Sequence, residues 1–269
     1  MKILRWKKLP YLLAAIIAVI VIALAALLTL DQNADESGRN EETGQFVWES
    51  AGDETDADAQ TTPGQTAAEE AAREVLRQKE RADILLLSDE ELWERFDDAV
   101  LIGDSRVEGF RLYTSVPSGR ILAQNGATIL HMDSVAGQAA DLAPESIFIA
   151  YGINDIKSEL GKDAQGYAAL AEEKIGALSQ MAPEAEIYVN SILPASPARE
   201  SAEPVYRKVP AYNEALHAMC ERRHWHFVDN SGIAQAHSSL YVDDGIHLTA
   251  GFYRYWGQNM LLTQLDGRQ

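Results

Sequence analysis

Ala99-Val100-Leu101-Ile102-Gly103-Asp104-Ser105 is the stretch that decides the fold. Four apolar residues run unbroken into a glycine, an aspartate and a serine. A short apolar run closed by turn-forming residues reads as a strand buried on both faces, the kind found in parallel sheets. Further strands of this type are expected at 121–123, 147–151, 187–189 and 226–228, and helices at 165–181, 209–222 and 250–264. Strands alternating with amphipathic helices predict an α/β domain whose parallel sheet is covered on both faces. Functional sites in such sheets form at the carboxyl ends of strands. Ser105 follows the first strand directly, and Asn154, in Tyr151-Gly152-Ile153-Asn154-Asp155, follows the third.

A serine hydroxyl is a weak nucleophile at neutral pH. It needs a base within hydrogen-bond reach, and that base needs a partner that fixes its tautomer. Asp244-Gly245-Ile246-His247 supplies both, with His247 as base and Asp244 as orienting acid. Three residues of separation on one loop let the carboxylate reach one ring nitrogen while the other faces the serine. A tetrahedral intermediate also needs donors for its oxyanion, each lowering the barrier by about 3–4 kcal/mol. The candidates are the Ser105 amide, the Gly126 amide and the Asn154 side chain. Each block has a plainer reading: a surface histidine beside Asp243-Asp244, an ordinary Asn125-Gly126 turn, and a strand-to-helix turn at Gly152 and Asn154.

Taken in order, Gly103-Asp104-Ser105, Gly126, Gly152-Ile153-Asn154-Asp155 and Asp244-Gly245-Ile246-His247 resemble the four blocks of the SGNH/GDSL-type serine hydrolases, over roughly residues 95–266. The resemblance implies a three-layer α/β/α sandwich around a flavodoxin-like parallel sheet of about five strands. It also implies acyl hydrolysis or transfer on lipids, thioesters, carbohydrates or cell-wall polymers, with no metal or organic cofactor. Asp104, Gly152 and Asp155 stand beside the named residues as supporting positions. The chain departs from the pattern at Arg106, where the family's name has leucine. That cation either meets an anionic or sugar substrate, or is a solvated first-turn residue pairing with Glu108 or another acid. The G-x-S-x-G elbow of the larger α/β-hydrolases is absent, since Val107 stands two residues after Ser105.

The chain of 269 residues carries a formal net charge of −18. That acidity argues against nucleic acid as a partner, which requires a basic face. Residues 1–30 hold four basic and no acidic residues, whereas 31–70 hold twelve acids against Arg39 alone. Residues 11–30 are almost wholly apolar, and at 1.5 Å per residue span about 30 Å, the hydrocarbon core of a bilayer. The basic segment 1–10 is expected to stay cytoplasmic and 11–30 to anchor the chain, placing the remainder outside. Secretion after cleavage of a signal peptide, with Ala23-Leu24-Ala25 as the site, is the alternative. Residues 31–65 read as a disordered acidic linker, and 66–94 as a helical stalk or pre-domain segment. Within that segment a helix is expected over 66–82, followed by a Ser88-Asp89-Glu90-Glu91 capping box. The catalytic domain is expected over 95–269.

The single cysteine, Cys220, lies in a helical pattern and reads as a small core residue. No histidine spacing suggests a metal. The aromatics Phe252, Tyr253, Tyr255 and Trp256 of the last helix are expected partly in the core and partly at the rim of the site. The expected function is a membrane-tethered extracytoplasmic serine esterase acting on short acyl esters, such as acetyl groups on a carbohydrate or cell-wall glycan. Transfer to a glycan acceptor, lipid or thioester hydrolysis, and a silent binding module are the alternatives.

Overall fold

The computed structural model describes residues 63–267. The expected anchor at 11–30 and nearly all of the expected linker lie outside these residues. Helix α1 (Pro63–Leu86) begins three residues inside the expected linker and outlasts the expected 66–82 at both ends. Among the described residues, no helix is long and apolar enough to cross a membrane.

The chain divides into two units at Leu76/Arg77. Of the first, residues 63–76 are described, as the first part of α1. The second runs from Arg77 and therefore starts well before the expected boundary at 95. The reason is packing. Helix α2 (Asp89–Glu94) is opened by the Ser88 capping box, with Glu91 Oε2 accepting from Ser88 N at 2.8 Å. It buries Leu92 and Trp93, with Phe96 just beyond, in the core of the domain.

The strands are β1 (Ala99–Gly103), β2 (Ile121–Ala123), β3 (Ser146–Ala150), β4 (Glu186–Asn190) and β5 (His226–Val228). They form one parallel sheet in the order β2-β1-β3-β4-β5. Side chains alternate strictly between its faces, as the twofold period of a strand requires. Val100, Ile102, Ile147, Ile149, Ile187 and Val189 enter one core; Ala99, Leu101, Phe148 and Tyr188 enter the other. Each large aliphatic so buried contributes about 1.5–3 kcal/mol.

The first core is closed by α4 (Met132–Asp141), α6 (Ala164–Met181) and α8 (Val209–Arg223). The second is closed by α2, α3 (Ser105–Tyr113), α9 (Ser231–Ala236) and α10 (Ala250–Gly267). Short helices α5 (Ile153–Lys157) and α7 (Pro197–Ala202) follow β3 and β4. The helices expected at 165–181, 209–222 and 250–264 are each found with one end as expected and the other shifted by one to three residues.

The aromatic helix α10 packs mostly inward. Phe252, Tyr253 and Trp256 are buried, whereas Tyr255 is partly exposed and stacks on His237 at 3.6 Å between ring centres. Buried Asn190, at the end of β4, accepts from Trp256 Nε1 at 2.9 Å and from Asn230 Nδ2 at 3.1 Å. A satisfied buried amide of this kind fixes β4, β5 and α10 in one register.

Strand order reverses between β1 and β3, one running outward to β2 and the other to β4 and β5. In open α/β sheets the crevice at such a switch point, at the carboxyl ends of the strands, is where ligands bind. Ser105 and Asn154 follow the two strands that flank it.

Candidate active site

The nucleophile candidate sits where β1 turns into α3. Asp104 is the N-cap, its Oδ1 accepting from Arg106 N at 2.9 Å. Ser105 is the first helical residue, where no carbonyl one turn back exists to receive its N–H. Burial raises the Asp104 carboxyl above the ordinary range, against the opposing pull of nearby Arg106.

The partner loop comes from the chain before α10. A bridge between Tyr241 and Leu248 closes it, and Val242 N donates to His247 O at 3.0 Å. Asp244 Oδ1 accepts from Ile246 N at 2.7 Å and from His247 N at 2.9 Å. Its Oδ2 then lies 2.6 Å from His247 Nδ1, and His247 Nε2 lies 2.8 Å from Ser105 Oγ. A carboxylate only accepts, so Nδ1 carries the ring proton and Nε2 is left to accept from the serine hydroxyl. Burial works against the Asp244 charge, but the bonds from the His247 ring and the two amides outweigh it and hold the carboxyl at about 2.

Gly245 makes this turn possible. Its φ is +70°, and a Cβ there would stand 2.2 Å from Ser196 Oγ. Gly245→Ala is therefore expected to cost at least about 1–2 kcal/mol from the left-handed backbone alone. Urea unfolding would measure this loss, and esterase activity should fall with it as the Asp244–His247 turn is displaced.

The third block acts on the second, the two that hold the candidate oxyanion donors Asn154 and Gly126. Gly126 is exposed with φ +73°, in a turn closed by Ala127 N donating to Gln124 O at 3.1 Å. The Asn125-Gly126 pair is thus a turn, and that turn stands beside the end of β1, since Gln124 N donates to Gly103 O at 3.2 Å. Asn154 Nδ2 donates to Ala127 O at 2.9 Å, which uses one of its two amide protons. Asp155 Oδ1 accepts from Ile129 N at 2.8 Å. The Asn154-Asp155 pair therefore clamps the loop that carries Gly126, a role for Asp155 that its adjacency to Asn154 alone did not specify. Gly152 is the N-cap of α5, with φ +130°.

Asp155 is fully buried, and its Oδ2 has no hydrogen-bond partner. Burial lifts its carboxyl to about 6. The native state then holds a proton between about pH 4 and 6 that the unfolded chain has lost. Stability on this account falls as pH rises through that window, by the order of 2–3 kcal/mol. Asp155→Asn keeps an oxygen for Ile129 N and removes the titration. Urea midpoints measured at pH 4 and pH 7 should drop more for the wild type than for the variant.

Arg106 is corrected by the structure. It is not a solvated first-turn residue paired with Glu108: it is 3% exposed, and Glu108 pairs with Arg111 instead. Its Nη1 donates to Leu193 O at 2.5 Å and its Nη2 reaches Pro194 O at 3.5 Å. The side chain runs inward because the second position of α3 faces the β4–α7 loop, and it lines a small cavity together with Asp104, Tyr151, Ser191 and Trp256. Cys220 is buried, and burial raises its thiol to about 12, which leaves it inert. Among the described residues, no group of three or more metal-ligating side chains occurs.

With the geometry in place, comparison with known proteins gives the class. Residues 101–255 match the profile of the GDSL-like Lipase/Acylhydrolase family, more than half of the chain. The chain belongs to this family, whose members are ester-hydrolysing serine hydrolases. A comparison with curated proteins found no match. Among solved structures it is similar to a Streptococcus pneumonia protein assigned as a platelet activating factor, at 21% identity and TM-score 0.49, over 73% of this chain and 99% of that one. It is similar to a GDSL-like lipase from Bacteroides thetaiotaomicron, at 18% identity and TM-score 0.48, over 71% and 97%. It is also similar to an acetylxylan esterase from Geobacillus stearothermophilus, at 15% identity and TM-score 0.47, over 61% and 92%. The family assignment rests on the profile match alone.

Proposed function

We propose that the chain is a membrane-tethered extracytoplasmic esterase that removes short acyl groups, such as acetyl, from a carbohydrate or cell-wall glycan. The observation that carries the chemistry is the unbroken line from Asp244 Oδ2 through the His247 ring to Ser105 Oγ, at 2.6 and 2.8 Å. Ser105 Oγ attacks the ester carbonyl as its proton passes to His247 Nε2. The amides of Ser105 and Gly126 and the free N–H of Asn154 receive the oxyanion. The C–O bond to the alcohol then breaks, and the alcohol leaves with the proton from Nε2. Water attacks the acyl-serine with Nε2 again as base, releasing the acid and restoring the hydroxyl.

Hydrolysis rather than transfer is favoured by solvent access, since the Asp244 and His247 side chains are each 45% exposed. Location outside the cell rests on the basic-then-apolar N-terminus. With Arg106 buried, an anionic substrate loses its support, and a neutral acylated sugar fits the acidic chain better.

The test is turnover of p-nitrophenyl esters of increasing acyl length and of an acetylated oligosaccharide by the full chain, with Ser105→Ala as control. Rates that fall from acetate to longer chains, with acetate released from the glycan, are expected. Equal rates for wild type and Ser105→Ala would overturn the assignment. Asn154→Ala should lower kcat by about 10²- to 10³-fold as an oxyanion donor is lost, read alongside the melting temperature because Asn154 also holds Ala127.

A further inference from the structure

We infer that Arg106 is a positioning residue that sets the distance between Ser105 and His247 through the loop after β4. The inference rests on the reading of Ser105 and His247 as nucleophile and base, and it goes beyond it by explaining what keeps them together.

Ser105 and His247 are 142 residues apart in sequence and lie on different elements. A single hydrogen bond between two partly exposed side chains does not fix such a separation; a framework beneath it does. The loop Leu193–Ser196 is that framework. On one side, Arg106 Nη1 holds Leu193 O at 2.5 Å and Nη2 reaches Pro194 O at 3.5 Å. On the other, Tyr241 Oη donates to Pro194 O at 2.6 Å, and Ser196 N donates to Gly245 O at 2.7 Å. Tyr241 and Gly245 belong to the loop that presents Asp244 and His247.

The circuit is therefore closed: Ser105, its neighbour Arg106, the carbonyls of Leu193 and Pro194, Ser196, Gly245, His247, and back to Ser105. Pro194 O is the shared point, held from one side by the nucleophile's helix and from the other by the base's loop.

Two further contacts make Arg106 a fixed post rather than a flexible tether. Its backbone N–H donates to Asp104 Oδ1 at 2.9 Å, and its carbonyl accepts from Tyr253 Oη at 2.9 Å. The side chain is buried at 3% exposure with its Nε unpartnered. Burying a guanidinium is costly unless its bonds are made. A chain that needed only a filler at the second position of α3 would use an apolar residue there. The carbonyl oxygens of Leu193 and Pro194 lie where no apolar side chain could hold them.

The experiment compares wild type with Arg106→Met, Arg106→Lys and Tyr241→Phe on the full chain, using two readouts. The first is kcat and KM on p-nitrophenyl acetate, corrected by active-site titration. The second, which needs no substrate, is the low-field proton resonance of His247 Nδ1–H. For Arg106→Met we expect kcat to fall about 10- to 100-fold, as for a misplacement of about 1 Å, with KM little changed and the resonance shifted or lost. Arg106→Lys should recover part of both, because an ammonium reaches one of the two carbonyls. Tyr241→Phe, which leaves the buried charge in place, should move both readouts in the same direction but less.

A folded Arg106→Met with unchanged kcat and resonance overturns the proposal. So does a rise in KM with kcat intact, which would make Arg106 a substrate contact. If Arg106→Met does not fold, Tyr241→Phe decides, and an unchanged resonance there counts against it. A wild type that turns over no ester, but whose resonance still responds to these substitutions, would sink the functional reading and leave the positioning role standing.

Discussion

Ser105→Ala and His247→Ala are each expected to lower kcat/KM for p-nitrophenyl acetate by about 10⁶-fold, with the double variant no worse than either. The lack of additivity follows from the geometry. The Ser105 hydroxyl is 2.8 Å from His247 Nε2, so the two groups make one proton-transfer unit. Removing the hydroxyl leaves nothing to attack the carbonyl. Removing the ring leaves a hydroxyl that stays protonated and weak as a nucleophile. What survives is the oxyanion pocket acting on water, which accounts for a residual rate. Neither change disturbs the fold, because Ser105 contributes to α3 through its backbone and His247 is half exposed on a loop. Unchanged melting temperatures with losses of this size would separate chemistry from folding. A double variant slower than the singles by a further large factor would show that the two residues do not act as one unit.

The second large effect is expected at Asp244. Asp244→Asn preserves the acceptor oxygen for Ile246 N and His247 N, so the loop keeps its shape. It presents an N–H₂ donor to His247 Nδ1 in place of a carboxylate oxygen. The ring then takes the other tautomer, with its proton on Nε2, and can no longer accept from Ser105. A loss in kcat of about 10⁴-fold is expected from an intact but wrongly protonated site. The pH dependence sharpens this test. The Asp244 carboxyl titrates at about 2 in the folded protein, so it is ionised throughout any range in which an ester is assayed. The acid limb of the wild-type pH–rate profile therefore contains no contribution from Asp244. Asp244→Asn should lower the height of the profile at every pH, including below about pH 4, where a carboxyl titrating near 4–5 would have lost its effect.

The sheet was legible in sequence because its signals are local. A strand buried on both faces must be apolar at every position, and 99–103 shows that without reference to any other part of the chain. The capping box at Ser88 was legible for the same reason: both of its hydrogen bonds close within four residues. The start of the folded unit at Arg77 was not, because the burial of Leu92, Trp93 and Phe96 depends on α10 and α3, which lie elsewhere in the sequence. Tyr255 shows the limit on the last helix. Composition left the four aromatics to divide between the core and the rim of the site, and the structure stacks Tyr255 on His237.

In the site, the four blocks were readable because acyl chemistry demands particular atoms: a hydroxyl, an imidazole, a carboxylate and amide donors. Few residue types supply them. What each block does to the next was not readable. Asp155 holds the Gly126 loop through Ile129, and Arg106 points inward to carbonyls 87 and 88 residues away.

The sequence by itself determined a parallel α/β sheet with a serine, an asparagine and a His–Asp loop at its disposal, since patterning and chemical necessity are properties of residue types. Only the tertiary structure decided where Arg106 goes. The direction of a long side chain from the first turn of a helix is set by what packs against that turn. Here that is a buried loop whose Leu193 and Pro194 carbonyls accept from the guanidinium.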